Sequence, residues 1–318
     1  MQSVLPYLKH KSFFAKFATL TFLIIVSMLV TMVIGLVLAI PFYGFEIIYN
    51  FEQFSDITNP ESINFLKYFQ IINQIGVFIL PVFLFAYLDT RRINSNLMLN
   101  TKVDFKILAL SIVLIFVAIP FINSLVIWNE QMSLPDYLWR IEAWMRKSED
   151  QTQELTKVFL ETSSIGGLLV NLVMIAFLAA IGEELLFRGA LLKMIFKASN
   201  NIHVAVWVSA FIFSAFHLQF YGFVPRMILG LLFGYVFAWS GSLWIPIILH
   251  FIFNGISVVA AFLYQRGTIN VDVESLGSTQ NSLIIIVSVI VSLFLFVLTY
   301  KYRNKRFENF KSTNNIIQ

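Results

Sequence analysis

Cysteine is absent from the 318 residues, which excludes disulfides, thiolate nucleophiles and cysteine-held metals. Charge is scarce: Asp, Glu, Lys and Arg make up 13% of the chain, where soluble domains carry about 25%. No His-Glu-x-x-His run occurs, so the arrangement that holds zinc on one helix face is missing. No aspartate pair lies inside an apolar segment. Ser240 and Ser242 flank Gly241, but no histidine is placed to serve either as a base. Repeats and low-complexity segments are also lacking.

Apolar residues fill the chain instead. They make up 58% of it, and Phe alone occurs 34 times. Several uncharged runs reach the ~20 residues that cross about 30 Å of hydrocarbon. The reading is an all-α, polytopic membrane protein of about eight transmembrane helices, near 17–43, 65–88, 105–128, 165–190, 203–221, 225–241, 245–265 and 282–300. The first run is too long for a signal-peptide core and reads as a retained span.

Charge also sets an expected orientation. Lys9, Lys11 and Lys16, then Arg91, Arg92 and Lys102, then Lys193 and Lys197, then Lys301, Arg303, Lys305 and Arg306 make alternate connections basic. The first loop carries Glu46, Glu52, Asp56 and Glu61 instead. Under the positive-inside rule both termini face the cytoplasm. The bilayer is the expected partner, and nothing in the modest net charge of +4 points to nucleic acid.

Three regions are expected: 1–163, three spans with an extramembrane amphipathic loop at 129–163; 164–265, a helical core; and 266–318, a last span and basic tail. In the loop, Leu134, Leu138, Ile141 and Met145 recur at helical spacing beside Trp139 and Trp144. That pattern fits a helix lying on the membrane surface, or a solvated loop helix without a specific role. Pro41, Pro81 and Pro120 lie in or at the ends of the first three spans. Gly230 and Gly234 form a small-x-x-x-small pair suited to close helix packing. His10 and His203 are expected at membrane interfaces without a role, and Arg226 reads as a snorkelling anchor.

The informative residues lie within apolar surroundings. Glu183, Glu184 and Arg188 follow the uncharged run 165–181; His217, His250 and Asn254 stand in later spans. An ionisable group in a bilayer costs several kcal/mol, roughly 2.5–3.5 on insertion scales, and is usually functional. Glu184 and Arg188, four apart, share a helix face, as do His250 and Asn254; Glu183 is turned about 100° away. A carboxylate and an imidazole can hold and deprotonate water. A second imidazole and an amide can donate hydrogen bonds to an oxyanion. Taken singly, each group has an ordinary structural alternative: interhelical hydrogen bonding for the histidines and Asn254, an ion pair for Glu184 and Arg188.

Together, Glu183-Glu184…Arg188, Phe213…His217 and His250…Asn254 resemble the three motifs of the CAAX prenyl protease 2 (CPBP, or Abi) family of intramembrane peptidases, over about 164–256. The resemblance implies an endopeptidase acting on a peptide or membrane-protein substrate. It implies Glu183 as general base, His217 positioning the water, His250 and Asn254 as the oxyanion hole, and Glu184 and Arg188 orienting the site. No cofactor is expected, and glutamate-dependent chemistry is favoured over zinc; Glu183, Glu184, His217 and His250 are the groups that would ligate zinc if it bound. Alternatives are a transporter with a membrane carboxylate site, and a non-catalytic scaffold or immunity protein with the same fold. By length, Glu183 and His217 lie about 15–20 Å apart in depth, a gap that the chemistry requires the fold to close.

Overall fold

The computed structural model describes residues 6–50, 54, 56–270 and 276–304. Glu52, Lys305 and Arg306, used above for orientation, lie outside these. Nine helices organise the described chain: α1 (Phe13–Tyr43), α2 (Pro60–Thr90), α3 (Phe105–Glu130), α4 (Trp139–Leu160), α5 (Ile165–Ser199), α6 (Ile202–Phe216), α7 (Phe223–Ser240), α8 (Trp244–Gln265) and α9 (Ser282–Lys301). Short helical turns lie at Glu46–Tyr49 and Ile93–Asn96. Among the described residues seven helices are long and apolar enough to cross a membrane, and the protein is an all-α multi-pass membrane protein.

The eighth expected span, 203–221, is the exception. It becomes α6, which ends at Phe216 after 15 residues, about 22 Å at ~1.5 Å per residue. Apolarity continues past that point, but the backbone does not: Leu218 takes a left-handed conformation with φ of 53°. Conversely, α5 runs beyond the expected limit near 190 to Ser199, through Lys193 and Lys197. Caps rather than hydropathy set these ends. Asn200 turns left-handed to close α5, and the Asn201 carboxamide accepts from the amides of His203 and Val204 to open α6.

Elsewhere Ser12, Asn59, Asp104, Ser164 and Asn281 accept a first-turn amide at the starts of α1, α2, α3, α5 and α9. The prolines are accommodated individually. In α2, a π segment (Ile75–Ile79) ends just before Pro81. In α3, Ser288 of α9 steps into the break at Pro120: its hydroxyl donates to the Val117 carbonyl (2.6 Å) and accepts from the Phe121 amide (3.3 Å).

Helix α7 lies between two apolar cores. On one side Phe237 joins Val82, Phe85, Leu97, Phe187 and Phe213. On the other Leu232, Phe233 and Val236 meet Ile107, Leu114 and Leu295. The Gly230 and Gly234 pair does pack closely. A Cβ on Gly230 would come 3.2 Å from the Ala210 Cα, and one on Gly234 3.0 Å from Val206 Cγ1, so α6 and α7 run antiparallel nearly backbone to backbone.

Candidate functional site

The hairpin of α5 and α6 removes the depth mismatch. Glu183 lies 17 residues before Asn200 and His217 lies 17 after it, so both stand about 25 Å from the shared turn at ~1.5 Å per residue. The longer α5 and shorter α6 together bring acid and imidazole to one level. Glu183 Oε2 is 3.9 Å from His217 Nε2 and 3.8 Å from His250 Nε2. It is buried and has no hydrogen-bond partner among the described residues. Both gaps exceed a direct hydrogen bond, so Glu183 Oε2 is committed to neither imidazole.

Beside this triangle is a buried brace. Glu184 Oε1 accepts from Arg188 Nη1 at 2.7 Å and pairs with His250 Nδ1 at 2.9 Å. Arg188 Nη2 donates to the Gly230 carbonyl at 3.0 Å. The guanidinium is sandwiched by Phe213 and Phe233, 4.6 and 5.6 Å from its carbon to the ring centroids. Glu184 is 0% and Arg188 1% exposed, so the pair depends on these partners to offset burial, while Glu184 Oε2 has no hydrogen-bond partner among the described residues. Phe233 also stacks on the His250 ring at 5.2 Å.

His217 is oriented by its own helix end, with Nδ1 2.8 Å from the Phe213 carbonyl. Donation from Nδ1–H leaves Nε2 as the acceptor facing Glu183. Asn254 lies one turn beyond His250, and its Nδ2 donates to the Ile175 carbonyl at 3.0 Å. Ile175 belongs to a π segment of α5, Leu172–Leu178, and a second one covers Leu185–Leu192. Wide turns of this kind displace backbone carbonyls and recur at functional sites. The structure therefore brings Glu183, Glu184, Arg188, His217 and His250 into one cluster, and ties Asn254 to the helix that carries the acids.

A zinc ion binds its ligands at about 2.0–2.2 Å for nitrogen and oxygen. Glu184 Oε1 is committed to Arg188 and His250, and among the described residues no three His, Asp or Glu side chains form a group that could hold a metal.

Two residues escaped the sequence reading. Arg226, expected as a snorkelling anchor, is half-buried at the start of α7, and its Nη1 donates to the Gln219 carbonyl at 3.2 Å. Glu149 of α4 is buried and accepts from the Tyr221 amide at 3.0 Å and Gln219 Nε2 at 3.4 Å. Ser148 Oγ donates to the Leu218 carbonyl, and Asn129 bonds both Phe220 O and the Val224 amide. The 129–163 segment therefore grips the loop that follows His217. Its expected apolar residues Trp139, Ile141 and Trp144 are exposed, while the carboxylate faces in. A buried Glu149 carries no periodic signal, and only its partners on a distant loop explain it. Outside the membrane, hydrogen bonds from Arg146 hold the Glu142 carboxyl below its ordinary range.

Comparison with known proteins concerns this same region. Residues 165–256 match the family described as type II CAAX prenyl endopeptidase, Rce1-like. A relative, the uncharacterized protein YpbD of Bacillus subtilis (strain 168), is 28% identical over 90 residues, covering 27% of this chain and 43% of that protein. The chain thus spans less than half the length of the relative it matches. No solved structure matches. The segment that carries all six site residues, 165–256, is Rce1-like in sequence, and at the level of family this supports an intramembrane CAAX-type protease.

Proposed function

We propose that this protein is an intramembrane endopeptidase that hydrolyses a peptide bond with water activated by Glu183 and His217. The observation that carries the reading is Glu183 Oε2, buried and unpartnered between two imidazole Nε2 atoms at 3.9 and 3.8 Å. A water there donates one O–H to the Glu183 carboxylate and the other to His217 Nε2. Its oxygen attacks the carbonyl carbon of the scissile bond as its proton passes to Glu183. The carbonyl oxygen becomes an oxyanion and is met by His250 Nε2–H and by the Asn254 N–H not used on Ile175. The C–N bond then breaks, Glu183 returns its proton to the leaving amine, and an amine and a carboxylic acid leave, the acid giving its proton to solvent. Arg188 touches no reacting atom; it fixes Glu184 and, through it, the His250 ring. No step passes through a metal.

Purified protein in proteoliposomes, supplied with a library of lipidated, quenched-fluorescent peptides, tests the reading. Glu183→Gln and His217→Ala each lower turnover by about 10²–10⁴-fold, the usual range for a general base. Metal chelation leaves turnover unchanged. Undiminished cleavage by both variants refutes the assignment.

A further inference from the structure

Helix α2 carries an apolar stripe that ends in charge. Leu80, Leu84 and Tyr87 are exposed, and their spacing of four and three puts them on one face of the helix. That face continues to Arg91, whose guanidinium carbon lies 4.6 Å from the centre of the Tyr87 ring and whose Nη1 meets the Tyr87 hydroxyl. Asp89, two residues from Tyr87, points to the other side of α2, where it pairs with Lys16 at 2.6 Å and Lys197 at 3.6 Å. Among the described residues neither Arg91 nor Arg92 forms an ion pair.

Arg91 also closes α2 in a left-handed conformation, with φ of 59°, where glycine or asparagine is the ordinary choice and where α5 has Asn200. An arginine there carries a strain that glycine would not, and strain kept at a charged residue points to a use for its side chain. Both arginines line a cavity of about 540 Å³ at the junction of α2 and the turn that follows it. Phe83 and Tyr87 form its apolar wall, and Ser95 and Asn100 are among its polar lining. Its depth is that of a membrane interface. Beside Asn100, the Leu99 carbonyl accepts from the indole of the exposed Trp244 at 2.8 Å, and tryptophan concentrates where hydrocarbon meets headgroups.

We propose that this cavity seats the phosphate of an anionic phospholipid, with Arg91 and Arg92 as its cationic partners and an acyl chain lying along Tyr87, Leu84 and Leu80. Guanidinium groups offer planar forks that match phosphate oxygens. The aromatic wall leads directly onto the stripe, so headgroup and chain are met in the order a lipid presents them. Lysines on the far side of α2 add to the field: Lys193 joins Lys16 and Lys197 there by donating to Asn96 Oδ1 at 3.5 Å. A choline or ethanolamine headgroup sets its own cation against these groups, whereas an anionic headgroup brings none. The assignment does not depend on the peptidase reading.

The test uses the full chain in detergent micelles, titrated with short-chain phosphatidylglycerol or phosphatidylcholine, with occupancy read by native mass spectrometry. Phosphatidylglycerol binds roughly 10- to 30-fold more tightly, the size expected for two basic groups at a membrane surface. Arg91→Gly combined with Arg92→Gln abolishes that preference. Both positions are exposed and glycine relaxes the left-handed turn, so thermal unfolding in phosphatidylcholine stays where it was. Arg91→Lys combined with Arg92→Lys keeps the charge, loses the forks and retains part of the preference. Arg140→Gln combined with Lys147→Gln, an equal loss of charge at exposed positions of α4, leaves the preference intact. Equal binding of the two lipids, a preference that survives Arg91→Gly with Arg92→Gln, or one lost equally in the α4 variant overturns the proposal. Inorganic phosphate at the lipid's concentration does not displace phosphatidylglycerol; displacement would make this a site for free phosphate and remove the lipid assignment.

Discussion

Helices α1 and α9 are the most apolar spans of the described chain, yet only 17% and 11% of their most apolar windows are buried; α7 is the least apolar span and 67% of its window is buried. In water this order would be reversed. In a bilayer the lipid is as apolar as leucine, so large hydrophobic side chains are stable facing either way, whereas small and polar groups must face the interior to pack closely or hydrogen-bond. The chemistry follows the second pattern: α5, α6, α7 and α8 bring two acids, a guanidinium and two imidazoles together, while α1 and α9 present Leu29, Val33, Leu293 and Phe294 outward.

That contrast can be broken by substitution, starting at the centre. Arg188→Ala leaves the fully buried Glu184 without its guanidinium and destabilises the fold by about 3–5 kcal/mol, read as thermal unfolding in detergent. The paired change Glu184→Gln with Arg188→Met costs less than Arg188→Ala alone, because no uncompensated charge remains. If the single variant unfolds like the parent, the brace is not what holds α5 against α7.

Gly234→Leu drives a side chain into Val206 and separates α6 from α7, with a cost of about 1–3 kcal/mol by the same assay. It also lowers cleavage, since α6 carries His217. Ser288→Ala removes the hydroxyl that bridges Val117 and Phe121 around Pro120, for about 1 kcal/mol. This sharpens the contrast within α9, whose buried Ser288 then matters more than its many outward apolar residues. Leu293→Ala on the outward face of α9 changes stability by less than about 0.5 kcal/mol. A loss as large as that of Gly234→Leu would mean that α9 buries this face against a partner.

Much of the site was legible because membrane burial makes polar residues conspicuous. Glu183, Glu184, Arg188, His217, His250 and Asn254 stand out against apolar neighbours, and the i, i+4 spacing of Glu184 and Arg188 foretold a bond that does form at 2.7 Å. Two things were hidden. The ends of α5 and α6 depend on Asn200, Asn201 and the left-handed Leu218, which hydropathy does not register. The burial of Glu149 depends on a partner 72 residues away in the chain.

The amino-acid order by itself determined that this chain is a bundle of membrane-crossing helices, since an uninterrupted apolar run of sufficient length has no other stable state in lipid. It also determined which side chains are costly enough to need a purpose. Only the tertiary structure decided that Glu183 and His217 stand at one depth, that Glu184 serves Arg188 and His250 at once, and that α4 grips the loop beyond His217. Those are relations between helices, set by where caps end them and how closely glycines let them approach, and a one-dimensional pattern of hydrophobicity contains neither distance.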